Sequence, residues 1–115
     1  MAYMLLIMEP CGQRAGRSAV QGREAYERML AYTAVLKQRG VLLAANALKS
    51  EALRLTVEQG RAQVLDGPFT ESKELIGGYF LLDCGTRDEA LTMARDCPAA
   101  AWASIEVREI GTCYE

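Results

Sequence analysis

Nine residues, Asp66-Gly67-Pro68-Phe69-Thr70-Glu71-Ser72-Lys73-Glu74, hold the densest polar chemistry of the chain, and Gly77-Gly78-Tyr79 follow closely. Asp66 and Glu71 are carboxylates, the side chains that move protons or anchor a polar substrate when partial burial raises their pKa. Glu71 and Lys73 are two residues apart, so in an extended loop they share a face. There they either clamp a polar ligand or form a surface ion pair worth roughly 0–1 kcal/mol. Phe69 and Tyr79 supply a pocket wall or core packing, and the Tyr79 hydroxyl is placed to orient a substrate. Asp66 equally suits an Asx turn that satisfies backbone N–H groups. Arg14 and Arg17 lie after the first apolar run and are the cations suited to an anionic group. The candidates are therefore Asp66 and Glu71 for proton transfer, with Phe69, Lys73, Tyr79 and Arg14 for ligand binding.

What is missing narrows the chemistry. The sequence has no histidine, which removes Ser-His and Cys-His catalysis, a histidine base and histidine metal ligands. Of its four cysteines, Cys11, Cys84, Cys97 and Cys113, no two stand in C-x-x-C spacing, so neither a metal site nor an organic cofactor is expected. Cys84 and Cys97 fall on apolar faces and read as buried thiols, leaving Cys11 as the one to test for reactivity. A formal net charge of −2 gives nucleic acid no attraction. The apolar run Met4 to Met8 is too short for a signal peptide or a membrane span, so the expected location is the cytoplasm, with reduced cysteines.

The elements that must position these groups follow from periodicity. A length of 115 residues argues for one domain, residues 1–115. Met1 to Met8 is apolar on both faces, as a doubly covered strand is, and Glu9-Pro10-Cys11-Gly12 should end it. A helix is expected from between Ser18 and Glu24, with Tyr26, Met29, Leu30, Thr33 and Leu36 inward and Gly40 past its end. Val41 to Leu48 reads as a second strand. Leu53, Leu55 and Val57 alternate with polar residues as a one-sided strand; a turn at Gly60-Arg61 and the run Ala62 to Leu65 complete a hairpin. Gly78 to Cys84 is another two-sided strand. Thr86-Arg87-Asp88-Glu89 caps a helix with Ala90, Leu91, Ala94 and Cys97 inward, which Pro98 stops. After a small-residue linker that contains Trp102, an interface or pocket-wall candidate, Ser104 to Ile110 is the last strand.

The expected class is α+β: a ferredoxin-like βαββαβ order with an inserted β-hairpin. Two helices cover one sheet face. The other face is apolar and needs a second copy, so a homodimer with sheets packed face to face is expected.

The motif Asp66-Gly67-Pro68-Phe69-x-Glu71-x-Lys73-Glu74 with Gly77-Gly78-Tyr79 resembles the DGPF (DGPFAETKE) group of the YCII-related superfamily. Tyr3-Met4-Leu5-Leu6-Ile7, Arg95-Asp96-Cys97-Pro98-Ala99-Ala100 and Ser104-Ile105-Glu106-Val107-Arg108 are similar to further parts of that family, so the likeness covers nearly the whole chain. The resemblance implies a dimeric α+β barrel of ferredoxin-like halves. It also implies relatives that act as small enzymes through a His-Asp pair, and frequent association of the group with extracytoplasmic-function sigma factors. Thr70 and Ser72 depart mildly from the motif. Ala101-Trp102-Ala103 stands where relatives carry a small or polar run, sometimes with histidine, which argues against a His-dependent activity.

Two functions follow as expectations. One is small-molecule binding, extending to cofactor-independent catalysis by Asp66 and Glu71, at a site built from the motif loop, the first loop and the inner sheet face. The alternative is a non-catalytic regulatory or partner-docking module linked to a sigma factor.

Overall fold

The structure is a computed structural model that describes residues 1–67, 69 and 72–114. Its elements are β1 (Ala2–Pro10), α1 (Ala19–Gln38), β2 (Leu42–Ala47), β3 (Leu53–Glu58), β4 (Arg61–Asp66), β5 (Glu74–Asp83), α2 (Arg87–Asp96), a 3-10 turn (Pro98–Ala101) and β6 (Ser104–Glu109). β1 pairs with β5 and β6, and β2 pairs with β5, all antiparallel, in the order β2-β5-β1-β6. With β3 and β4 set aside this is the ferredoxin-like βαββαβ arrangement within the α+β class.

The core lies between the sheet and the two helices. Alternate residues of β1, Tyr3, Leu5 and Ile7, are buried with Phe80 and Leu82 of β5, Tyr32 and Leu36 of α1, and Ala90, Met93 and Ala94 of α2. The Tyr32 ring meets Phe80 edge-on with centroids 5.2 Å apart, and its hydroxyl donates to the Met93 carbonyl at 2.6 Å. Met4, Leu6, Met8, Tyr79 and Leu81 point to the opposite face. They are half-buried by their neighbours within the sheet, and neither described helix lies over them.

Helix starts follow their caps. Ser18 Oγ accepts from the Gln21 N–H, and the Gln21 side chain accepts from the Ser18 N–H, so α1 begins at Ala19 with Gly22 inside it. Thr86 Oγ1 accepts from the Glu89 N–H, while Glu89 reaches back to the Gly85 N–H. Gly40 follows α1 at a φ of 73°, the left-handed position that ends helices.

Several expectations are corrected. The inward face of α1 is Met29, Tyr32 and Leu36, spaced three and four apart; Tyr26 and Leu30 are exposed. In α2, Met93 is buried where Leu91 was expected. The helical period alone does not fix which edge of a broad apolar arc meets the sheet. The hairpin turns at Gln59-Gly60, both at positive φ, so Arg61 pairs with Glu58. β1 runs on through Glu9 and Pro10, and β5 starts earlier, at Glu74, because the ladder between them continues to the pair Pro10 and Glu74.

Candidate functional site

The site is organised by an irregularity in β5. The register opposite β1 shifts between Ile7 and Met8, so Ile7 faces Gly78, Met8 faces Ile76 and Gly77 is the extra residue of a β-bulge. A side chain at Gly77 would run into the Glu9 carboxylate and approach Arg14 Nη2 to 2.9 Å; one at Gly78 would meet the Asn46 carbonyl at 2.9 Å. The two glycines of the motif are thus places of close approach.

Glu9 occupies the space that Gly77 leaves. It is 6% exposed, on the core side of β1. Arg14 holds it by a two-pronged ion pair, Nε to Oε2 at 2.9 Å and Nη2 to Oε1 at 2.8 Å. The same guanidinium donates to the Leu48 carbonyl at 2.6 Å and the Gly77 carbonyl at 2.9 Å. Four donors of Arg14 therefore serve acceptors of this chain, and together they tie the first loop, the end of β2 and the bulge.

The first loop is also sewn to the motif loop. The Cys11 N–H donates to the Lys73 carbonyl at 3.1 Å, and the Cys11 thiol to the Ser72 carbonyl at 2.9 Å. At the base of the hairpin the Gly67 N–H donates to the Ala52 carbonyl at 2.7 Å. The Phe69 ring folds back over Gly67, where a side chain would sit 2.8 Å from it, and the Arg54 guanidinium lies 3.8 Å from the ring centroid. The motif glycine exists so that the motif aromatic can pack on it.

Between these pieces lies a cleft of about 160 Å³. Cys11, Ser50, Arg54, Phe69, Ser72 and Glu74 line it: a thiol, two hydroxyls, a cation, an aromatic wall and a carboxylate. Ser104 donates to Glu74 Oε2 at 3.4 Å. At roughly 30 Å³ per water, the cleft has room for about five waters, or a small metabolite. A larger groove of about 390 Å³ runs between α1 and α2, floored by Tyr32, Val35, Leu36 and Met93 with Arg28 and Arg39 at its sides.

The candidates read from sequence fall in three places. Phe69 lines the cleft. Arg14 braces the loops around it, and Lys73 bounds it through its backbone while its side chain is exposed. Asp66 ends β4, exposed and opposite Leu53, on the other face of the hairpin from Arg54. Tyr79 lies on the open face of the main sheet, its hydroxyl accepting from Asn46 Nδ2 at 2.9 Å, with no described hydrogen bond to Asp66. Glu71 lies outside the described residues. Trp102 is flanked by two guanidinium groups, Arg17 at 5.6 Å and Arg28 at 5.2 Å from the ring, and its carbonyl accepts from Gln13 Nε2 at 2.6 Å. Cys84 and Cys97 are buried, and burial pushes both thiols up.

Sequence reasoning missed Glu9, Arg54 and Glu74 as parts of the site. Glu9 sits beside a proline where a strand should end, and only the Gly77 bulge makes room for it. Arg54 looks like the solvated side of an exposed strand until Phe69 folds beneath it.

The fold defines a ferredoxin-like α+β protein whose loops gather at one end of the sheet. The family model for the YCII-related domain matches residues 1–112, and the chain belongs to that family. An uncharacterised protein of Rhizobium meliloti (strain 1021) is 44% identical over 61 residues, which are 51% of this chain and 49% of the relative. The chain thus spans about half the length of that curated relative. No helix among the described residues is long and apolar enough to cross a membrane.

Proposed function

We propose that this chain binds a small polar molecule in the cleft between the first loop, the hairpin base and the motif loop, and works as a homodimer of the DGPF group. The observation that carries this reading is the cleft's lining. Glu74 offers a carboxylate, Ser50 and Ser72 offer hydroxyls, and Phe69, Ala52 and Leu75 offer the mostly apolar wall, all lining a space of about 160 Å³. The ligand class that fits brings a donor, an ammonium or hydroxyl group, to Glu74 and a small body against the Phe69 ring: a small amino or hydroxy acid. Further support comes from the bracing, since Arg14 and Cys11 fix both loops and a fixed site loses less entropy on binding.

If the bound molecule reacts, a motif carboxylate moves the proton without metal or organic cofactor: Glu74 lines the cleft and Glu71 belongs to the same loop in sequence, whereas Asp66 and Tyr79 stand on other faces and do not reach it. The dimer forms by packing the open sheet faces into an α+β barrel, supported by the uncovered Met4, Leu6, Met8 and Leu81. The free thiols of Cys11, Cys84, Cys97 and Cys113 suit the cytoplasm.

The test is a thermal-shift screen of small amino and hydroxy acids on the wild-type protein, Arg54→Ala and Phe69→Ala. A shift of several degrees in wild type that both variants lose is the expected result. The absence of any shift in wild type contradicts the reading and leaves the docking function in its place. For a molecule that binds, turnover lost in Glu74→Gln or Glu71→Gln with binding retained assigns that carboxylate the proton step, and Asp66→Asn should leave turnover unchanged.

A further inference from the structure

The β3–β4 hairpin is built to be covered. Neither strand pairs with the four-stranded sheet, so the hairpin is a two-stranded ribbon by itself, and such a ribbon is marginal in water. Its register sorts the side chains. Leu53, Leu55, Val57, Ala62, Val64 and Asp66 share one face, while Arg54, Thr56, Glu58, Arg61, Gln63 and Leu65 share the other. Arg54, from the second set, stacks on Phe69 and lines the cleft, so the base of that face turns toward its own protomer, while the rest of it, Leu65 at 50% among them, is exposed. The apolar face turns away, with Leu53 72%, Leu55 62%, Val57 63% and Val64 61% exposed.

We infer that this apolar face is an intermolecular arm that packs against a second copy of the chain, and that dimerisation steadies the hairpin wall of the ligand cleft. The inference rests on the homodimer reading above and goes beyond it by making the hairpin part of the interface. With strands about 4.8 Å apart and about 3.3 Å per residue, the open face of the four strands has a flat footprint of roughly 500 Å², a lower bound on its accessible area. A stable interface takes about 800 Å² per partner. The hairpin face adds about 190 Å² per protomer on the same spacings, and the surface receiving the partner's hairpin adds about as much again. Together they reach the size that a stable dimer needs.

The arm also bears on the cleft. The hairpin carries Arg54 and meets the body through Ala52 and Gly67, so fixing its outer face against a partner fixes the cation that walls the cleft. Asp66, on the outer face, is placed at the junction between subunits rather than in the cleft of its own protomer.

The experiment is sedimentation velocity across nanomolar to micromolar concentrations on wild type and on the triple variant Leu55→Thr, Val57→Thr, Val64→Thr, which keeps strand propensity and removes apolar contact. Wild type is expected to be a dimer, and the variant to dissociate at least tenfold more readily and to lose the ligand-induced thermal shift. A variant as dimeric as wild type overturns the arm and leaves the homodimer standing, whereas a monomeric wild type overturns both. Hydrogen exchange on wild type guards against a misfolded variant. Amides of residues 53–66 that gain protection with protein concentration support the arm, and protection independent of concentration overturns it.

Discussion

Taking the Glu9 carboxylate out of water costs several kcal/mol unless its charge is matched. Arg14 matches it in two-pronged geometry, and the bulge at Gly77 leaves the space for it. Arg14→Ala strands that carboxylate and releases the Leu48 and Gly77 carbonyls. Because the Arg14 side chain is 33% exposed, solvent softens the loss, and the expected cost is about 2–3 kcal/mol in urea unfolding. Gly77→Ala should cost about 2 kcal/mol or more, since its new methyl displaces Glu9. A loss below about 0.5 kcal/mol in either variant contradicts the role given to the pair. Tyr32 makes a prediction about pH. Burial pushes its hydroxyl above the ordinary value of 10.0, so the folded state holds this proton more tightly than the unfolded state. Its contribution is intact below pH 10 and is lost as pH rises beyond it. The buried thiols of Cys84 and Cys97, also pushed up, add the same sign of dependence from about pH 9. The urea midpoint should therefore fall from pH 8.5 to pH 11, and Tyr32→Phe should flatten the part above pH 10. A midpoint constant over that range contradicts the burial argument. At this scale the motif singled out Phe69, which lines the cleft. Glu9 was not legible, because its burial depends on a glycine 68 residues away in sequence. Arg54 was not legible either, because its partner is an aromatic that folds back under it.

Elements were more legible than contacts, because they follow from local rules. The caps at Ser18 and Thr86, the glycine after α1 and the alternation of β3 all act within a few residues. Ser18→Ala removes one partner of a complete capping box and should cost about 1 kcal/mol of stability. An unchanged unfolding midpoint would show that the Ser18 hydroxyl contributes nothing to α1. What local rules left open was rotation and register. Tyr26 and Leu30 lie next to Met29 on the helix, and only docking on the sheet selects Met29, Tyr32 and Leu36. The turn at Gln59-Gly60 shifts by one residue from where glycine alone suggests, because this turn needs positive φ at both positions.

At the scale of the molecule, the shape is flat and open. The radius of gyration is 16.0 Å, against roughly 13 Å for a compact chain of this length, and the extents are 47 × 43 × 18 Å. Among the described residues, one sheet face and one hairpin face carry apolar side chains with no element over them, the observation on which the proposed dimer rests. The order of strands was legible in the sequence, and so was the uncovered sheet face, since strands apolar on both sides require cover on both. The outward hairpin face was read only as an edge or extension, because alternation says that a strand has two faces but not which one turns away from the body. The central claim, a ligand cleft made by the first loop, hairpin base and motif loop, is tested most directly by titrating small amino and hydroxy acids into isotope-labelled protein and following its backbone amide resonances. The account predicts saturable shifts clustered at Cys11, Arg54, Phe69, Ser72 and Glu74. Shifts confined to the groove between α1 and α2, or no shifts at millimolar ligand, would contradict it.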